Sequence, residues 1–168
     1  MRIPDGVTLG LASELDLDEL AELSFASHGP GAGQAPVAAA REVLRREFAG
    51  QDGTLIPEAS ITAVVRDRIV AAILTVESPP PAWDMPDGPT VLDMFVVPDW
   101  RGRGIALAMM VAAAQAVEAG TDSRQLSLRV QSTNGGALAL YARLGFEGVD
   151  RTGRAAVVRG LGIAESDR

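Results

Sequence analysis

Between Phe95 and Met110 the sequence reads FVVPDWRGRGIALAMM, an order of residue types suited to holding a phosphate group. An apolar strand ends at Pro98, which cannot continue a ladder. Arg101, Gly102, Arg103 and Gly104 follow, and an apolar helix begins at about Ile105. The first turn of a helix carries N–H groups without an intrahelical partner, and its dipole favours an anion there. Gly102 and Gly104 lack a Cβ, so the backbone can approach a phosphate closely and adopt positive φ. Arg101 and Arg103 add positive charge, and a guanidinium can engage a phosphate bidentately. These are the parts of a pyrophosphate cradle. A Walker A loop is excluded because the chain has no Lys. A dinucleotide fold would put a third glycine where Leu107 stands and an acid where the next strand ends, at Val130-Gln131.

Other residue types narrow the chemistry. There is no Cys, so thiolate zinc sites, disulfides and cysteine nucleophiles are excluded. The single His, His28, lies in the stretch HGPGAGQAP and cannot build a multi-histidine metal site; no metal is expected. Asp93 interrupts the apolar run TVLDMFVV, a costly place for a charge unless it has a partner or faces a cavity. Glu77 follows another apolar run, Ile69 to Val76. The net charge of −7 argues against a nucleic-acid partner, which would need a basic surface. The longest uncharged helical stretch, Ile105 to Val117, is shorter than the ~18–20 residues that span a bilayer. No apolar leader segment is apparent, and a cytoplasmic, membrane-free protein is expected.

The 168 residues suit one domain, with no repeat or linker in the chain. Val7 to Ala12 reads as a short strand. Asp16 reads as the N-cap of a first helix through LDELAEL. A breaker-rich loop over His28–Pro36 leads to a second helix, Val37 to Ala49, with Val43, Leu44 and Phe48 as its apolar stripe. Ile61–Arg66 and Ile69–Val76 read as a hairpin about Asp67-Arg68. A Pro-rich loop, Pro79 to Pro89, precedes the strand Thr90 to Val97. After the apolar helix, Ile105 to Ala119, come a strand over Gln125–Val130 and a helix opened by Asn134 and closed at Gly145. Short strands near Phe146–Asp150 and Ala155–Arg159 end the pattern. The order is that of an α/β domain.

Two segments resemble the GNAT superfamily of N-acetyltransferases. Arg101, Gly102, Arg103, Gly104, Ile105 and Ala106 match that family's acetyl-CoA signature, Arg/Gln-x-x-Gly-x-Gly/Ala. NGGALALYARLGF matches its Asn-x-x-Ala-x-x-x-Tyr-x-x-x-Gly-Phe helix at Asn134, Ala137, Tyr141, Gly145 and Phe146. The resemblance covers about residues 60–160 of a single domain spanning 1–168. It implies a mixed, mostly antiparallel twisted sheet of six to seven strands, splayed between strands 4 and 5 and flanked by about four helices. It implies acetyl-CoA as co-substrate and direct attack by a primary amine, or else an acyl-CoA-binding or regulatory domain of the same fold without turnover. In that picture Met94, Phe95 and Val96 bind the pantetheine arm through main chain, and a Val96 N–H is the oxyanion donor. Arg101 to Ala106 hold the diphosphate, and Asn134 contacts the cofactor. Tyr141 protonates the departing thiolate, and Asp93 or Glu77 takes the amine's proton. Leu92 is a departure from the family pattern, since some relatives carry Glu near that position. His28, Phe25 and Trp83 are expected near the acceptor, with Trp100 as packed support. The resemblance allows a homodimer.

Overall fold

In the computed structural model, residues 3–28, 36–131, 133–150 and 155–159 are described. The chain begins with β1 (Thr8–Leu11), α1 (Leu17–His28) and α2 (Val37–Phe48). It continues through β2 (Ile61–Val65), β3 (Arg68–Val76), β4 (Thr90–Val96) and α3 (Ile105–Gly120). It closes with β5 (Ser127–Gln131), α4 (Gly135–Arg143), β6 (Glu147–Asp150) and β7 (Ala155–Arg159). The sheet order is β1-β2-β3-β4-β5-β7-β6. Every neighbouring pair is antiparallel except β4 and β5, which run parallel. Among the described residues no helix is long and apolar enough to cross a membrane.

The β-branched residues of β2 and β3 suit a pleated, covered surface. Their hairpin turns at Arg66 and Asp67, one residue earlier than the spacing predicts, with φ of 48° and 61°. Two consecutive left-handed residues are the signature of a type I′ turn, whose twist matches that of the flanking strands. β3 is buried from Val70 to Val76 because both faces of the sheet are covered. Ala72, Leu74 and Phe95 face α1 and α2, where they pack with Leu20, Leu23 and Leu44. Ala71, Ile73 and Val91 face the other way, against Met109, Ala113 and Val117 of α3 and Tyr141 of α4. The nearly all-round apolar character of α3 follows from this, since seven of its residues are buried.

Two local expectations shift. Ser13 caps a short 3₁₀ turn, Glu14–Asp16, that runs into α1, its Oγ accepting the Leu15 N–H at 3.1 Å, and Asp16 is the last residue of that turn. A hydroxyl placed before the turn satisfies an early orphan donor better than an acid inside it. Val43 is exposed at 46%, and the residues of α2 buried against the sheet are Leu44 and Glu47. His28 is the last residue of α1 rather than part of the following loop; the rest of the stretch to Gln34 and Ala35 lies outside the described residues, as does Gly153.

One irregularity positions the site. Leu74 pairs with Asp93, but Thr75 pairs with Val91, so Leu92 is an extra residue bulged out of the β3–β4 ladder. Pairing between β4 and β5 is confined to Thr90 with Ser127 and Val91 with Leu128. It stops where the bulge begins. A bulge bends its strand and increases the local twist, so β4 leaves β5 and the two strands diverge toward Val96 and Gln131.

Candidate active site

Because β5 departs after Val91, Met94, Phe95 and Val96 are paired on one side only, with Ile73, Ala72 and Ala71 of β3. Their other main-chain edge has no strand beside it among the described residues. Unpaired strand edges offer N–H and C=O groups to any extended partner. The Val96 carbonyl is an exception, since it accepts a hydrogen bond from Arg101 Nε at 3.0 Å.

Past β4, a 3₁₀ turn over Pro98–Trp100 reverses the chain. Gly102 and Gly104 then adopt φ of 71° and 81°, in the left-handed region that favours glycine. A Cβ built at either position would meet nothing within 4 Å. The glycines are therefore required by backbone conformation, and the space above them is open. Gly104 is the N-cap of α3 and has no side chain to satisfy the amides behind it. The first helical bond runs from Ala108 N–H to Gly104 C=O at 3.0 Å, which leaves the amides of Ile105 and Ala106 in the orphan first turn. Open space, orphan donors and the positive end of a sixteen-residue helix fit a diphosphate.

The arginines of this turn act differently from one another and from the simple expectation. The Arg101 N–H is already bound to Pro98 C=O at 3.1 Å. Its guanidinium folds back from the turn, donating to Val96 C=O and to Ser27 C=O. Arg101 thus clips the end of β4 to the last turn of α1, where a cation also complements the helix dipole. Arg103 stays exposed at the turn, with Nε on the Asp99 carbonyl at 3.2 Å and its guanidinium 4.8 Å from the centre of the Trp100 ring. Trp100 is half-buried against the core, as packed support. Replacing Arg101 with Met should lower stability by about 1 kcal/mol, the net worth of hydrogen bonds in a partly exposed setting. It should also loosen the turn, which loses its anchor; urea unfolding and hydrogen exchange of the amides from Gly102 to Ala106 measure the two effects.

Tyr141 reaches the site through the end of α4. Asn134 Oδ1 accepts the Ala137 N–H at 3.1 Å and caps the helix. That oxygen serves α4 itself. At the other end, Gly145 at φ 77° lets Phe146 N–H reach Tyr141 C=O at 3.0 Å and Gly145 N–H reach Ala142 C=O at 3.1 Å. This is a Schellman closure, and its usual apolar contact is here the pair of rings, Tyr141 and Phe146, with centroids 5.7 Å apart. The tyrosine is 7% exposed. Burial, and then the nearby charge of Asp93, push its hydroxyl up to about 12. It is a neutral proton donor throughout the physiological range.

Asp93 is half-buried. Opposed residues of a ladder point to the same side, so its pairing with Leu74 and its i,i+2 relation to Phe95 put it on the face covered by α1 and α2. Its charge acts on Tyr141 and also on Glu47 of α2. Glu47 was not among the sequence candidates. It is 6% exposed, and its Oε2 has no hydrogen-bond partner among the described residues. Burial first, then the charges of Asp93 and Asp52, push it up to about 8. The signal was present, because Glu47 stands three residues after Leu44, on the apolar side of the helix. Glu77 does not join this group. It lies one residue beyond β3, exposed, with its N–H on Thr54 C=O at 2.9 Å. β3 ends at Val76, paired to Thr90 at the far end of β4 from Val96. Phe25 is half-buried in α1, and Trp83 lies beneath the Arg129 guanidinium, 5.7 Å from the ring centre.

The sequence profile of the acetyltransferase (GNAT) domain matches residues 58–148, more than half of the chain. The chain belongs to the GNAT acetyltransferases. Among curated proteins none matches the chain in sequence. Solved structures of this GNAT fold cover nearly the whole chain. PH1933 from Pyrococcus horikoshii OT3 superimposes with a TM-score of 0.75 at 18% identity, covering 92% of this chain and 98% of its own. The PaiA N-acetyltransferase from Thermoplasma acidophilum, solved in complex with coenzyme A, gives a TM-score of 0.72 at 15% identity with the same coverage, 92% and 98%. Naa50 from Arabidopsis thaliana, solved with the bisubstrate analogue CoA-Ac-MVNAL, gives 0.67 at 18% identity, again covering 92% and 98%. At these identities the likeness is one of fold. This GNAT chain is an acetyltransferase by family, and its acceptor is a separate question.

Proposed function

We propose that the protein transfers the acetyl group of acetyl-CoA to a primary amine by direct attack. The observation that carries this reading is the early end of β4–β5 pairing at Val91 and Leu128. It leaves the edge of Met94–Val96 open, between the glycine turn and a buried tyrosine. The pantetheine arm pairs with that edge, and the diphosphate rests on the amides from Gly102 to Ala106. The acetyl carbonyl polarises against a β4 N–H. The amine attacks the carbonyl carbon, a C–N bond forms, and the C–S bond breaks as Tyr141 gives its proton to the sulfur. Asp93 receives a proton from the amine.

The solved complexes of relatives with coenzyme A and with a coenzyme A bisubstrate analogue support the placement of the cofactor. The test pairs two measurements on the wild type: heat of acetyl-CoA binding, and release of free thiol with a panel of primary amines. Binding together with amine-dependent thiol release is expected. Binding with no thiol release from any amine would replace this reading with an acyl-CoA-binding domain that does not turn over.

A further inference from the structure

Glu47 is a carboxyl group in a place where a carboxyl group is expensive. It sits on the buried side of α2, 6% exposed, beside Leu44, which packs on Leu74 and Phe95 of the sheet. Leu44 and Glu47 are three residues apart and share a helix face. Asp93 pairs with Leu74 and lies two residues before Phe95, so the same patch of sheet presents its carboxylate toward α2. Glu47 Oε2 has no hydrogen-bond partner among the described residues. An unsatisfied buried carboxyl costs stability, and a hydrophobic side chain would serve packing better.

The other charges around it do not offset this cost. Asp52 lies near Glu47 but is engaged by Arg46 Nη2 at 2.8 Å. Arg46, on the same helix, favours the ionised form, but its effect ranks below burial and both aspartates. α1, which also packs on α2, spends its acids at the surface: Asp18 on Arg41, and Glu19 on Arg68 and the Ile69 N–H. The charge of Asp93 is also felt by Tyr141. Glu47, Asp93 and Tyr141 thus form a series leading from α2, across β4, to α4.

We infer that Glu47 and Asp93 act as one carboxyl pair that draws in the acceptor as a cationic ammonium and takes a proton from it. The inference rests on the acetyl-transfer reading and adds the charge class of the acceptor. Both carboxylates are ionised when the ammonium arrives. One N–H proton moves to Asp93, which relieves its repulsion with the Glu47 carboxylate. The neutral amine then forms the C–N bond, and the C–S bond breaks. Tyr141 protonates the thiolate and is refilled by the second proton leaving the nitrogen. The pair returns its proton to solvent, so the sum is ammonium plus acetyl-CoA to amide, free thiol and one proton. A lone carboxylate is too weak a base for an alkylammonium; two that repel one another are stronger, because adding a proton relieves the repulsion. Glu47 raises the basicity of Asp93 and is a positioning residue in this sense.

The experiment uses the full chain. Carboxyl ¹³C NMR of glutamate-labelled protein should show Glu47 titrating at about 8, and Asp93→Asn should return it toward the ordinary carboxylate range. Thiol release is then followed against pH with a panel of primary amines that includes propylamine and 3,3,3-trifluoropropylamine, which differ in acidity. In the wild type, kcat/KM should climb through the same alkaline pH for both amines. In Glu47→Gln the climb should move to lower pH and the plateau should fall on the order of 10²-fold, the low end of a general base's worth. Glu47→Asp should keep the alkaline limb. Acetyl-CoA binding should be unchanged in all three variants. The inference is overturned, with acetyl transfer intact, if Glu47 titrates as an ordinary carboxyl. It is overturned equally if the limb follows the acidity of each amine, or if Glu47→Gln leaves limb and plateau in place. No acetylation of any amine in the panel, with coenzyme A bound, overturns the acetyl-transfer reading and the inference together.

Discussion

Tyr141→Phe is expected to lower kcat by on the order of 10²–10⁴-fold, the usual contribution of a positioned acid, while leaving the affinity for acetyl-CoA unchanged. The substitution removes one oxygen and keeps the ring. The ring is what packs, 5.7 Å from Phe146 in the core on the α3 face. The Schellman bonds that hold residue 141 come from its carbonyl, not its side chain. Among the described residues the hydroxyl makes no hydrogen bond, so its loss strands no partner. The hydroxyl is held up to about 12 by burial and by Asp93. A raised tyrosine keeps its proton below its ordinary value of 10.0, so any stability linked to it is present there and is lost only as the pH rises through about 12. The melting temperature of the Tyr141→Phe variant at neutral pH should therefore match the wild type. Stopped-flow thiol release and a thermal melt check both halves. Equal kcat in the two proteins would remove Tyr141 from the chemistry.

The second large effect is at the turn. Gly104→Glu should raise the dissociation constant of acetyl-CoA by on the order of 10³-fold, since juxtaposed like charges cost several kcal/mol. Space in the unliganded protein does not oppose the change, because a Cβ at this position meets nothing within 4 Å. Two other things do. A side chain at φ 81° costs about 1–2 kcal/mol. A carboxylate at the start of α3 would also occupy the first-turn amides and set its charge against the diphosphate. Gly104→Ala isolates the first of these and should weaken binding by only about tenfold, equivalent to 1.4 kcal/mol. Calorimetry on both variants, with circular dichroism to show α3 intact, separates strain from charge. Unchanged affinity in the glutamate variant would place the diphosphate elsewhere.

Much of the site was legible because it rests on short-range rules. The left-handed glycines, the helix start after Pro98 and the closure at Gly145 are local demands of the chain, and each appears in the order of residue types. The capping role of Asn134 follows from the same kind of rule, although the family pattern points past it to a cofactor. Arg101 shows the limit of local reading. Nothing in RGRG says that its guanidinium turns back to Ser27, because Ser27 is seventy-four residues away in the chain and only the packing of α1 on the sheet brings its carbonyl there. The position of Glu77 is another matter of tertiary structure. It closes an apolar run, yet β3 ends one residue before it and leaves it exposed at the end of the sheet remote from the turn.

The amino-acid sequence by itself determined the α/β class, the glycine turn ahead of an apolar helix, and the candidacy of Asp93, because periodicity, φ preference and the cost of a charge in an apolar run act over a few neighbours; the candidacy of Tyr141 came from the family resemblance of the segment around it. Only the tertiary structure decided where β4 leaves β5, that Arg101 braces the turn, and that Glu47 is buried on the sheet face that carries Asp93. Those outcomes depend on a one-residue register slip between β3 and β4 and on which side of α2 meets the sheet. Such long-range pairings are set by the sum of all packing contacts, which no single segment contains.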